Sequence, residues 1–185
     1  MANFRLIAKT ENDLVAMQED GTIYSVTAVQ SYGDYKLASL TKPAYIDEWI
    51  REYIDLTQID KFHMQYDPTL RSIKTFMVYK GDSSVKMALP YFVDKGALLG
   101  WAPPHDNKNY ASGYDAVSSC IYRVSDGNYK IYTGDSSGNV WQLETTSKSD
   151  DSNALSSYAR TPRLTFENPR MTKRFMPVSY THLRA

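Results

Sequence analysis

Residues 117–144 read VSSCIYRVSDGNYKIYTGDSSGNVWQLE, and this stretch decides the fold class. Val117 to Val124 reads as a strand, Ser125-Asp126-Gly127-Asn128 as a turn, and Tyr129 to Thr133 as the returning strand. Gly134-Asp135-Ser136-Ser137-Gly138 turns again, and Asn139 to Glu144 is a third strand. Short strands joined by tight polar turns pair antiparallel. The second turn fails as a phosphate loop, because no Gly-Lys-Ser/Thr follows and it leads into a strand rather than a helix. It also fails as a calcium loop, with Asp135 as its one carboxylate. As a β-turn it explains each residue: Asp135 caps, Gly138 takes a positive φ, and Val140, Trp141 and Leu143 resume the strand. Gly134, Asp135, Gly138 and Trp141 are therefore structural turn and packing positions.

The same grammar extends upstream. Asp13 to Val29 is a hairpin, with the apolar run LVAM, an Asp20-Gly21 turn and the return strand TIYSVTAV. Ser31 to Asp34 is a loop. Residues 44–56 break the pattern, since Ile46, Trp49, Ile50, Tyr53 and Ile54 fall on one face at helical spacing. Acidic and basic residues fill the other positions, and Pro43 suits the first turn, so this is one short amphipathic helix. Strands resume with Phe62, Met64 and Tyr66 alternating with His63 and Gln65, followed by a turn at Asp67-Pro68. SIKTFMVYK (residues 72–80) is the next strand, and Val85 to Tyr91 the third. Leu98 to Trp101 is a short fourth strand, and residues 102–115 are a loop rich in Pro, Asn and Gly. Pro90 within its strand marks an edge position or a bulge. Trp49, Trp101 and Trp141 are read as packing anchors, and Asp20 and Gly21 as turn formers.

The reading is thus mainly β: antiparallel four-stranded meanders with one short amphipathic helix near 44–56. Residues 18–26, 125–132 and 136–143 echo one another as a Gly-containing turn followed by an aromatic or β-branched strand, a cue for propeller blades. At roughly 40–50 residues per blade, residues 1–145 hold about three blades, a partial β-propeller. Residues 146–159 are a polar linker or loop, and residues 160–178 begin a following β segment.

Composition narrows the function classes. The 21 basic and 21 acidic residues cancel, which removes the electrostatic case for nucleic acid or an acidic membrane. The single cysteine among 185 residues excludes an intramolecular disulfide and a CxxC zinc cluster. No apolar run approaches the ~18 residues of a membrane-spanning helix. The N-terminus, MANFRLIAKTEND, shows no secretory signal pattern. Fifteen tyrosines, against 6 Phe and 3 Trp, suit half-buried sheet surfaces and protein contacts.

Catalytic chemistry finds little purchase. His63, between Phe62 and Met64, reads as a sheet-surface histidine, and His105 beside Asp106 as a loop residue. Cys120 in VSSCIYRV reads as a buried, inert thiol. No pair of histidines stands at ligand spacing, and no carboxylate pair is set across a cleft. No catalytic residue, cofactor or metal is expected.

The order of segments carries one further inference. AMQEDGTIYSV, GDYKLASLTKP, IDEWIREYI, YDPTLRSIKTFMVYKGDSS, ALPYFVDKGALLGW, IYTGDSSGNVWQLET and RTPRLTFENPRMTKRF follow one another from about Leu14 to Val178. In that order they resemble the β-propeller proteins of tailed-bacteriophage virions, tail or head-to-tail stabilisation components from metagenomic phages. The resemblance implies a non-enzymatic structural protein of the virion that assembles in the host cytoplasm. Its partners would be other virion proteins in a homo-oligomeric ring or tail, with no nucleic acid or membrane. The alternatives are a ligand-binding or enzymatic propeller of sialidase, quinoprotein or carbohydrate-binding type, or a general all-β interaction module. The sialidase repeat, Asp-x-Gly-x-Thr-Trp, is missed because Asp135 and Gly138 stand one residue too far apart. The closing string PVSYTHLRA resembles translated sequencing-adaptor read-through, which implies a metagenomic fragment with a non-native tail at residues 179–185.

Overall fold

A computed structural model describes residues 4–28, 35–106, 115–145, 149–150 and 153–154. The expected loop at Ser31 to Asp34, the β segment at 160–178 and the tail at 179–185 lie outside these residues. The chain divides into two units, Met1–Ser147 and Lys148–Ala185. The described part of the second is a minimal hairpin, Ser149–Asp150 paired with Asn153–Ala154.

The first unit is mainly β, built from three successive antiparallel sheets. The first runs in the order β1 (Ile7–Lys9), β2 (Leu14–Met17), β3 (Ile23–Ala28) and β4 (Tyr35–Ser39). The β2–β3 turn is made by its own chemistry. Asp20 accepts from the Thr22 backbone N–H and hydroxyl, both at 2.9 Å, and Gly21 stands at φ +85°. A side chain on Gly21 would meet a second obstacle, because its Cβ would lie 2.6 Å from Cγ2 of Ile50.

Ile50 belongs to α1 (Ile46–Tyr53), the core of the predicted amphipathic helix. Asp47 and Glu48 occupy its first turn, where the helix dipole favours them, and Arg51 pairs with Asp47 at 2.9 Å. The helix is shorter than the 44–56 pattern suggests. Tyr45, at φ 58°, separates it from a 3₁₀ turn over Lys42–Ala44 that contains Pro43. At the far end Ile54 bridges Tyr79, the Asp55 N–H donates to the Val78 carbonyl, and the Lys80 N–H donates to the Tyr53 carbonyl. Those sheet-like bonds draw the chain out of the helix. Asp55 then caps Thr57 and starts a further 3₁₀ segment, Leu56–Lys61.

The second sheet has the order β5 (His63–Asp67), β6 (Ser72–Met77), β7 (Met87–Phe92) and β8 (His105–Asp106). Every residue of β6 is buried. On one face Ile73 and Met77 join Val15, Ile23, Ile50, Ile54 and Leu89 in the main core. On the other face stand Ser72, Lys74 and Phe76, opposite Asp67, Gln65 and His63. The Phe92 N–H donates to the Gly100 carbonyl and the Pro90 carbonyl accepts from Ala102, so the even-numbered residues of β7 point their backbone groups away from β6. Pro90 therefore lies where its missing N–H costs β6 no ladder bond, but β7 is not the edge strand its sequence context suggests: β8 and the Gly100–Ala102 segment flank its other side.

Two further expectations for this sheet need correction. Leu98 to Trp101 is not a strand; Gly96–Leu99 forms a short helical turn, α2, and of the predicted strand Trp101 alone bridges back to Tyr91. The Trp101 indole donates to the carbonyls of Leu40 at 3.0 Å and Ala97 at 3.1 Å, which fixes the turn against the first sheet. The fourth strand is His105–Asp106, inside the segment expected to be a loop.

The third sheet, in the order β11 (Val140–Gln142), β10 (Tyr129–Gly134) and β9 (Ser118–Arg123), has three strands among the described residues instead of four. The three sheets form no closed ring of blades.

The Gly21–Ile50 approach yields a direct test. Gly21→Ala combines a forbidden φ with overpacking against a fully buried isoleucine. It should cost ~2–4 kcal/mol in urea unfolding. Gly138→Ala, at the same φ but with nothing within 4 Å of its Cβ, should cost ~1 kcal/mol.

Candidate functional site

Burial of β6 on both faces places a cation where water cannot reach it. Lys74 is 1% exposed. Its Nζ lies 2.8 Å from Oε1 of Glu144 and 4.0 Å from Oδ2 of Asp67, and it donates to the Ser72 hydroxyl at 3.4 Å. An isolated buried ammonium is costly, and two carboxylates supply the counter-charge. Asp67 is itself buried, and its Oδ1 accepts from the backbone N–H groups of Thr69 at 2.9 Å and Leu70 at 3.4 Å. Glu144 follows β11 with φ at 54°, a left-handed conformation unusual outside glycine, and this turn of the chain presents its carboxylate to Lys74. Beside the cluster runs a groove of about 180 Å³ lined by Asp67, Thr69, Asp126, Tyr129, Lys130 and Glu144.

Farther along the same face of the second sheet, His63 is 3% exposed, in place of the sheet-surface position expected for it. Its ring stacks on Phe76 with centroids 4.5 Å apart, Nδ1 faces the Arg5 guanidinium at 3.5 Å, and Nε2 has no hydrogen-bond partner among the described residues. Arg5 also donates to the Val117 carbonyl, tying the N-terminal segment to the entry of the third sheet. Desolvation, reinforced by Arg5 and opposed by a hydrogen bond with the Lys61 backbone, pulls the His63 pKa down to about 4.

The turn and packing positions are not gathered into one site. Asp135 holds the β10–β11 turn as a hub: Oδ1 accepts from the N–H of Ser137 at 2.9 Å and of Asn139 at 2.8 Å. Its Oδ2 accepts from the Asn139 amide at 2.9 Å and the Trp141 indole at 2.8 Å. Those bonds, led by the indole, hold its pKa at about 2. Gly134 ends β10 against Ser118, and Gly138 supplies the positive φ. Trp141 is half-buried, Trp49 packs beside Tyr53 at the margin of the core, and Trp101 packs against Tyr91 with the rings tilted by 41°. His105 is exposed in β8. Cys120 is exposed on β9, which corrects its expected burial: β9 pairs on one side with β10 and turns alternate residues to solvent.

Among the described residues no group of three or more His, Cys, Asp or Glu side chains is placed to hold a metal ion, and no helix is long and apolar enough to cross a membrane. No family model, curated protein or solved structure matches the chain.

Two titrations follow. His63 is neutral when folded and titrates near its ordinary 6.5 when unfolded, so the unfolded chain binds the extra proton in mild acid. Its contribution to stability is complete above about pH 6.5, declines as the pH falls, and is lost below about 4, a swing of ~3 kcal/mol. Urea midpoints at pH 7 and pH 4 should separate less in His63→Leu than in the wild type. Trp141→Phe keeps a ring and deletes the indole donor, so the Asp135 midpoint in a carboxylate NMR titration should rise toward 3.8.

Proposed function

We propose that the chain is a non-enzymatic structural component of a tailed-phage virion, in the tail or the head–tail connector, acting through protein–protein contacts. The observation that carries this reading is the order of segments from Leu14 to Val178, which resembles such proteins. The series of antiparallel meanders is compatible with it. Contact surface is available: Leu98, Leu99, Tyr122 and Val140 are each more than 60% exposed, with Leu98 and Leu99 side by side on α2. Apolar and Tyr side chains of this kind suit repeated contacts in a symmetric ring, where many weak interfaces act together. The partners in this reading are other virion proteins and further copies of the chain.

Mass spectrometry of purified, DNA-filled particles from a phage carrying the gene tests the reading. Peptides from this chain should be present in fixed ratio to the portal and tail proteins. Their absence from particles, with the protein abundant in the lysate, would overturn it.

A further inference from the structure

Lys74, Asp67 and Glu144 form the arrangement needed to join two side chains covalently. An amine and a carboxyl group are held together out of water, and a second carboxylate, one-third exposed, reaches the amine from the sheet margin within hydrogen-bond distance. The two carboxylates are not equivalent. Glu144 contacts Nζ directly at 2.8 Å, the position of a base that takes protons from the amine. Asp67 is the better electrophile, because Thr69 and Leu70 N–H groups already point at its Oδ1 and would stabilise the charge that develops there on attack. Its Oδ2, the oxygen on the lysine side at 4.0 Å, is free of those bonds and is the one that would leave. Burial favours the reaction further, since it replaces a desolvated ion pair with a neutral amide.

We propose that Lys74 and Asp67 form an intramolecular isopeptide bond with Glu144 as proton relay. Nζ attacks Cγ of Asp67, a C–N bond forms, and the Cγ–Oδ2 bond breaks. The ammonium begins with three protons; one stays on the amide nitrogen and two leave with Oδ2 as water, passed through Glu144. Ammonium plus carboxylate gives amide plus water, so no oxidant or co-reactant enters. The product would clasp β5 to β6 across their hairpin, diagonal to the Gln65–Lys74 pairing. This inference does not rest on the virion reading and survives or fails without it.

Intact mass of the purified full chain is the test. The folded wild type should be lighter than its sequence by one water. Trypsin should release Phe62–Arg71 joined to Ser72–Lys80 as a branched peptide, uncut after Lys74. Lys74→Met, which keeps the volume and removes the amine, should restore the sequence mass. Glu144→Gln, checked for folding by circular dichroism, should retain the sequence mass or lose water far more slowly. A wild type that keeps its full mass after prolonged incubation in the folded state overturns the proposal without reference to any variant. A branched peptide joining Lys74 to Glu144 overturns the assignment of Asp67 as acyl donor.

Discussion

Strand β6 has water on neither side, and much of the first unit is arranged around that condition. One face, through Ile73 and Met77, requires a continuous apolar layer, which the first sheet and α1 provide. The other face carries Ser72, Lys74 and Phe76, and this face decides where polar groups must come from. Lys74 draws in Asp67 from the neighbouring strand and Glu144 from the end of the third sheet. Phe76 stacks on His63, which is then buried and neutral beside Arg5. The third sheet is thus held to the second partly by charge satisfaction and not by apolar area alone.

The first sheet is held by a steric condition of a different kind. Gly21 allows the β2–β3 turn to approach Ile50 more closely than any side chain would permit. The indole of Trp101 adds a directed bond to the Leu40 carbonyl at the other end of the same region. Close backbone approach and a half-buried indole donor do here what a larger core would do in a larger domain.

Turn chemistry was legible in the sequence because it is local. Gly21, Gly127 and Gly138 each stand at positive φ, and Asp20, Asp126 and Asp135 each accept from a backbone N–H two residues on. The face of α1 was legible from its spacing, whereas its ends were set by bonds to Val78 and Tyr79, far along the chain. Alternation of apolar and polar residues suggested a wet face for β5 and hence a surface His63; the third sheet and the N-terminal segment cover that face. The same blindness to neighbours reversed Cys120. The Lys74 cluster could not be seen because its members stand at 67, 74 and 144 and meet only when two sheets dock. The one local hint was a lysine inside the strand-forming run SIKTFMVYK.

The outer margin of β7 has a bearing on how the chain associates. Along it, Met87 and Ala88 are paired with β8, Tyr91 is bridged by Trp101, Phe92 donates to Gly100, and Pro90 presents a ring where a donor would be. A strand arriving from another molecule would find no row of open amides there to extend. Growth by β-addition, the route to uncontrolled fibres, is blocked along β7 itself, and the sheet ends on this side in the two-residue β8, too short to template a long ladder. Neighbours meeting the molecule on this side must recognise it by side-chain relief, which allows an assembly to stop at a defined size.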